Sequence, residues 1–209
     1  MGASSGLKRG ETRGIGALVA FAAAMAVGET GAAARALAAA RRAGARRVAA
    51  EEVALMLVLH AGYPAALEGA RALNQAWPGA ARRTREGGPR EWMKRGERLG
   101  RRVYGESFAR LRRNVERLHP DLAVWMIEQG YGRVLSRGGL SDVARELIAV
   151  AVLAATGWER QLVSHLLGAS RLGATRVEIR SAFAAGACRG DARGRAADAR
   201  AWKTAFAAG

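Results

Sequence analysis

Two titratable side chains stand out by type and spacing. Between Leu140 and Ile179 the chain reads as a helical hairpin. Its start is marked by Ser141-Asp142, its turn by Thr156-Gly157, and its second helix closes at Gly173-Ala174. Val143, Leu147, Val150, Ala151 and Ala154 recur at the i, i+3, i+4 spacing of one buried helix face, and Glu146 falls on or beside that stripe. Leu162, His165, Leu166 and Ala169 share a face of the second helix in the same way. The pattern aims a carboxyl group and an imidazole at one core from two antiparallel helices. An imidazole exchanges protons near neutral pH, and a carboxylate beside it can hold its tautomer or relay its proton. The pair is therefore a candidate for general acid–base work. With Arg145 as an ion-pair partner for Glu146, the same residues also make a satisfied buried polar network with no catalytic task. Spacing alone leaves both readings open.

The elements that must position this pair can be followed along the chain. Residues 1–11 are small and polar and are expected to be disordered. An apolar helix runs from Arg13 to Val27, and after the break at Gly28-Glu29-Thr30-Gly31 a second, alanine-rich helix runs to Arg42. The segment from Ala50 to His60 is apolar nearly all round, which predicts a central helix. Gly62-Tyr63-Pro64 interrupts, with Pro64 suited to the first position of a helix ending near Trp77. Residues 78–102, rich in arginine and glycine, read as a solvated connector. A helix over 105–118 follows, then PDLAVWMIEQGYGRVL, in which Trp125 and Tyr131 read as core or pocket wall.

The layout recurs. RRAGARRV (41–48) parallels SRLGATRV (170–177), and ARALNQAW (70–77) parallels ADARAW (197–202). Residues 12–77 and 143–203 are thus expected to be two copies of one four-helix unit. The first copy lacks the polar pair: Gly14 takes the place of Glu146, and the histidine position falls near Ala36.

Composition excludes several classes. Half of the 209 residues are hydrophobic, prolines are few and strand-like alternation is absent, so the fold is expected to be all-α. The lone Cys188, expected to be a small, partly buried apolar residue, permits no internal disulfide or cysteine redox pair. Three scattered histidines make no metal-ligand pattern. The net charge of +16 invites a nucleic-acid reading. Yet Lys8, Lys94 and Lys203 are the only lysines, and the abundance of arginine, alanine and glycine together is what GC-rich coding produces. Nucleic acid is therefore the last of three readings. The uncharged run Gly14–Gly28 after Lys8, Arg9 and Arg13 resembles a secretory signal, but it is too short to span a membrane and serves the repeat as a core helix. The expectation is a cytoplasmic protein without a membrane partner.

Three motifs in order carry a family resemblance: GYGRVLSRGGLS (130–141), RELIAVAVLAATG (145–157), and His165 followed by Gly173-Ala174 and Glu178-Ile179. Residues 105–203 resemble the carboxymuconolactone decarboxylase family, which shares its helical fold with alkyl hydroperoxidase D. The resemblance implies a domain over 103–209, preceded by a divergent copy over 12–77 and the basic linker 78–102. Glu146 and His165 fall at the family's relay glutamate and histidine. The peroxidase branch carries a Cys-x-x-Cys pair before its histidine; Trp158 and Gln161 stand there instead, so that thiol chemistry is lost.

The decarboxylase branch remains. It acts without a cofactor or metal on an anionic lactone carboxylic acid. Such chemistry needs a clamp for the carboxylate and an acid for the carbanion that forms. His165 and Glu146 are the candidate catalytic residues. Arg133, Arg137, Tyr131 and Arg145 are the candidate substrate-binding residues. The second reading is a family member whose chemistry has been lost or changed, working as an oligomeric or small-molecule-binding protein. Because single-copy relatives assemble into trimers or hexamers, a double-copy chain is expected to form a smaller homo-oligomer, such as a trimer of pseudo-dimeric chains.

Overall fold

The structure, a computed structural model, describes residues 7, 13–81, 83–84 and 87–207. The expected disordered segment 1–11 lies outside these except for Leu7. Among the described residues all regular structure is helical, as composition predicts. The helices are α1 (Ile15–Ala26), α2 (Thr30–Arg42), α3 (Arg47–His60), α4 (Gly62–Ala76), α5 (Pro89–Tyr104), α6 (Ser107–Leu118), α7 (Pro120–Trp125), a π-helical segment (Met126–Leu135), α8 (Asp142–Thr156), α9 (Glu159–Arg171), α10 (Arg176–Ala187) and α11 (Ala192–Phe206). No helix among the described residues is long and apolar enough to cross a membrane. The chain divides into two compact units, one of Met1–Ala81 with Gly139–Gly209, the other of Arg82–Gly138.

In the larger unit the centre is α8. All its residues from Val143 to Ala155 are buried, and it packs against α1, α9 and α10. Ser141 caps its start by accepting a hydrogen bond from the Ala144 amide at 3.2 Å, and Gly157, at φ 72°, ends it. The expectation that α3 would be central is corrected. Val53, Met56 and Leu57 are buried, but Leu55 on its far side is 43% exposed. Pro64 sits in the first turn of α4 without being its first residue, since α4 opens at Gly62. There its missing N–H still costs nothing, because the first turn has no intrahelical acceptor for it.

Close helix approach in this unit depends on Gly186 of α10. A Cβ there would lie 2.1 Å from the Ala151 carbonyl oxygen of α8. Alanine normally gains about 0.5–1 kcal/mol over glycine inside a helix. The clash outweighs that gain, since overpacking costs about 1–3 kcal/mol. Gly186→Ala is thus expected to lower the thermal midpoint, while Gly16→Ala in α1, whose Cβ would meet nothing within 4 Å, should raise it. Circular dichroism melting of the two variants checks both signs, and equal midpoints would remove the close-approach argument.

The helices of this unit repeat their connections. Gly28 and Gly157 are both left-handed and stand 129 positions apart, as do Gly44 and Gly173. The chain turns match as well. The Ala45 amide donates to the Ala40 carbonyl at 3.0 Å, and the Ala174 amide to the Ala169 carbonyl at 2.9 Å. α1 packs on α2 and α3 as α8 packs on α9 and α10, and α1 packs directly on α8. This spacing pairs Glu146 with Ala17 instead of Gly14, and His165 with Ala36.

The smaller unit is built on α5 against the π-helical segment. Residues 89–102, expected as part of a connector, are helical. Gly88 is extended, Pro89 opens the helix, Glu91 lies in the first turn and Arg101 and Arg102 in the last, all favourable to the helix dipole. The buried stripe is Gly96, Leu99, Gly100 and Val103, so two of its four members carry no side chain, which hides the helix from a hydrophobicity reading. Glycine is required where the two segments meet. A Cβ on Gly96 would lie 2.0 Å from the Ile127 carbonyl oxygen, and one on Gly132 would lie 2.0 Å from that of Trp92. Trp125, expected in a core or pocket wall, is instead 57% exposed.

Candidate functional site

The hairpin of α8 and α9 brings the two predicted catalytic residues together. His165 Nδ1 and Glu146 Oε2 are 2.9 Å apart, and both side chains are buried. Glu146 reaches this position because it lies on a helix buried all round, so even a residue beside the apolar stripe faces protein. With Nδ1 carrying the proton, His165 donates to the carboxylate, which leaves Nε2 as the ring's acceptor nitrogen. Trp158, at one of the two positions where the peroxidase branch has a thiol, is 60% exposed at the start of α9. Glu178, part of the third motif, has a structural task. It forms a capping box with Thr175, accepting from the Thr175 amide at 2.7 Å.

Arg145 is placed differently from either expectation. Its Nη2 lies 2.9 Å from Glu52 Oε2 of α3, and both side chains are almost wholly buried. The guanidinium thus joins α8 to α3, and among the described residues its carboxylate partner is Glu52 instead of Glu146. Tyr131, Arg133 and Arg137 belong to the smaller unit and are engaged there. The Tyr131 and Tyr104 hydroxyls are 2.6 Å apart, so Tyr131 is a buried residue of that unit's packing. The Arg133 guanidinium lies 5.1 Å from the Trp92 ring centre and donates to Gln129 at 3.3 Å. Arg137 donates to the Thr84 hydroxyl at 3.4 Å. Cys188, expected to be partly buried, is exposed at the end of α10. No group of three or more potential metal ligands occurs among the described residues.

Two residues escaped the sequence reading, Glu52 and His60. The His60 and His165 rings stand edge to face with centres 5.5 Å apart. His60 is half-buried as a residue, but its Nε2 is enclosed and has no hydrogen-bond partner. Burial, and then the neighbouring His165, push the His60 imidazole down to about 3. A helix C-terminus favours imidazolium, so desolvation here overrides the dipole of α3. The signal was available: Glu52, Met56 and His60 recur at i, i+4, i+8, one line along a buried helix face.

The described helices thus hold a buried glutamate–histidine pair, with Trp158 and Gln161 at the positions where the peroxidase branch carries thiols. Residues 120–205 match the model of the carboxymuconolactone decarboxylase family. No curated protein matches the chain at a significant level.

Proposed function

We propose that the protein is a cofactor-free acid–base enzyme of the carboxy-lyase type, acting on a small carboxylated lactone. The observation that carries this reading is the buried bond between Glu146 and His165, in a domain whose family is named for that chemistry. In the reaction the bond to the carboxylate breaks, CO2 leaves, and the electron pair passes into the lactone as an enolate. His165, as imidazolium held by Glu146, returns a proton from Nε2 to carbon and is reprotonated from water. An electrostatic partner for the charge is worth most in such a water-poor site. We also infer that α1–α4 and α8–α11 are two copies of one unit, on the strength of their matching turns and packing. Assembly of such chains into a small homo-oligomer belongs to the same proposal.

A second reading has one observation in its favour. Arg145, the guanidinium nearest Glu146 in sequence, is committed to Glu52. A family member that binds a small acid without transforming it fits that arrangement too. Incubation of purified protein with 4-carboxymuconolactone, following CO2 release, separates the two. Turnover that disappears in His165→Ala and Glu146→Gln, with both variants folded, is the expected result. Binding without turnover in the unaltered protein would favour the second reading.

A further inference from the structure

His60, at the end of α3 in the N-terminal half of the larger unit, meets the His165 ring. The spacing of 129 that relates this unit's turns sets residue 60 against Arg189, two residues past the end of α10. Arg189 is used there in an ordinary way, donating from Nε to Glu29 at 3.2 Å. His60 breaks the equivalence. Where Arg189 is a paired, mostly buried cation, His60 is an imidazole set edge to face against His165, with an enclosed nitrogen that no described residue satisfies. Enclosed polar atoms are nearly always paired, by protein, water or ligand.

We propose that His60 is a ligand-binding residue of the Glu146–His165 site, its Nε2 hydrogen-bonding an oxygen of the small carboxylated substrate. The inference rests on the acid–base reading of that site. The two ring centres are 5.5 Å apart, close enough for one ligand to meet both rings. Neutrality suits the task. A second imidazolium there would repel the protonated His165 and compete with it as the acid. A neutral imidazole instead offers one directed N–H or one lone pair to the ligand and leaves proton transfer to its neighbour. Sequence duplication that left both halves alike would not produce this asymmetry, so the first copy is a working part of the second copy's site.

The chain has three histidines, which makes the test direct. Imidazole nitrogen resonances of 15N-histidine-labelled protein are followed while 5-oxotetrahydrofuran-2-carboxylate, a stable saturated lactone acid, is added. Both His60 and His165 are expected to shift with one common saturation curve. His60→Phe should weaken binding about tenfold or more with its melting temperature little changed, while His60→Gln, which keeps a polar tip, should recover most of the affinity. A moving His165 with an unmoved His60, or tight binding by His60→Phe, overturns the inference and leaves the acid–base reading standing. Joint shifts without any turnover of 4-carboxymuconolactone uphold His60 as a ligand contact and remove the decarboxylase reading. No response of either ring sinks both. The measurement on the unaltered protein decides the matter even if His60→Phe fails to fold.

Discussion

Glu52→Leu is expected to destabilise the protein by about 3–5 kcal/mol, the cost of removing one partner from a buried ion pair. Arg145→Met should cost less, and the difference has a chemical cause. A carboxylate deprived of one cation can be neutralised by a proton, whereas a guanidinium keeps its charge at any accessible pH. The Arg145→Met deficit should therefore shrink when unfolding is measured at pH 5 instead of pH 7, while the Glu52→Leu deficit should not. The double variant Arg145→Met, Glu52→Leu replaces both charges with apolar volume and is expected to be more stable than Glu52→Leu alone. Such replacements elsewhere are neutral or stabilising by about 1–4 kcal/mol. Urea denaturation of the four proteins at both pH values completes the cycle. Additive single and double effects would show that the 2.9 Å contact carries no coupling.

The consequence for function follows from position. Arg145 and Glu146 are neighbours on α8, so the first fixes that helix against α3 while the second faces His165 of α9. α3 also bears His60. One ion pair thus fixes α3, which carries His60, against α8, which carries the Glu146 bonded to His165 of α9. A variant that loosens it should reduce any activity even though neither Arg145 nor Glu52 contacts the imidazole of His165 among the described bonds.

What the sequence disclosed depended on how each residue's burden was spread. The α8–α9 hairpin was legible because its cap, its turn glycine and its apolar stripe all point the same way. Glu146 and His165 were found because they interrupt that stripe at helical spacing. α5 was missed because glycines at 96 and 100 do the packing that large apolar residues usually do, so its buried face has little hydrophobic signal. The exposure of Trp125 was missed for the opposite reason, since a large aromatic at helical spacing reads as core whether or not anything covers it. The partner of Arg145 was beyond reach because Glu52 lies 93 residues away. Local adjacency favoured Glu146, and only the packing of α3 on α8 brings the actual carboxylate in.

A second long-range consequence concerns Asp198 on α11, which is 1% exposed and has no hydrogen-bond partner for either carboxylate oxygen. Burial pushes its carboxyl up from 3.8 to about 6. Between those values the folded protein keeps a proton that the unfolded chain has lost, so stability is fullest below pH 4 and falls as pH rises to about 6. His60 acts with the opposite sign. Its imidazole lies at about 3 in the fold against an ordinary 6.5, so the unfolded chain takes up a proton that the fold refuses, and stability falls as pH drops below 6.5. Each group contributes a slope of about 1.4 kcal/mol per pH unit inside its window. From pH 4 to 6 the two windows overlap and the slopes oppose, which leaves their sum nearly flat. Asp198→Asn removes the carboxyl's contribution, so stability should rise relative to the unaltered protein across that range, with a gain of about 1–3 kcal/mol at pH 7. His60→Phe removes the histidine's, so stability should fall from pH 4 to 6 relative to the unaltered protein. Urea unfolding at pH 4, 5, 6 and 7 reads each as a difference curve, in which all other titrating groups cancel. Difference curves that stay level for both variants would mean that neither group is held in the state its burial dictates, and the enclosed His60 nitrogen would then have to be reached by water.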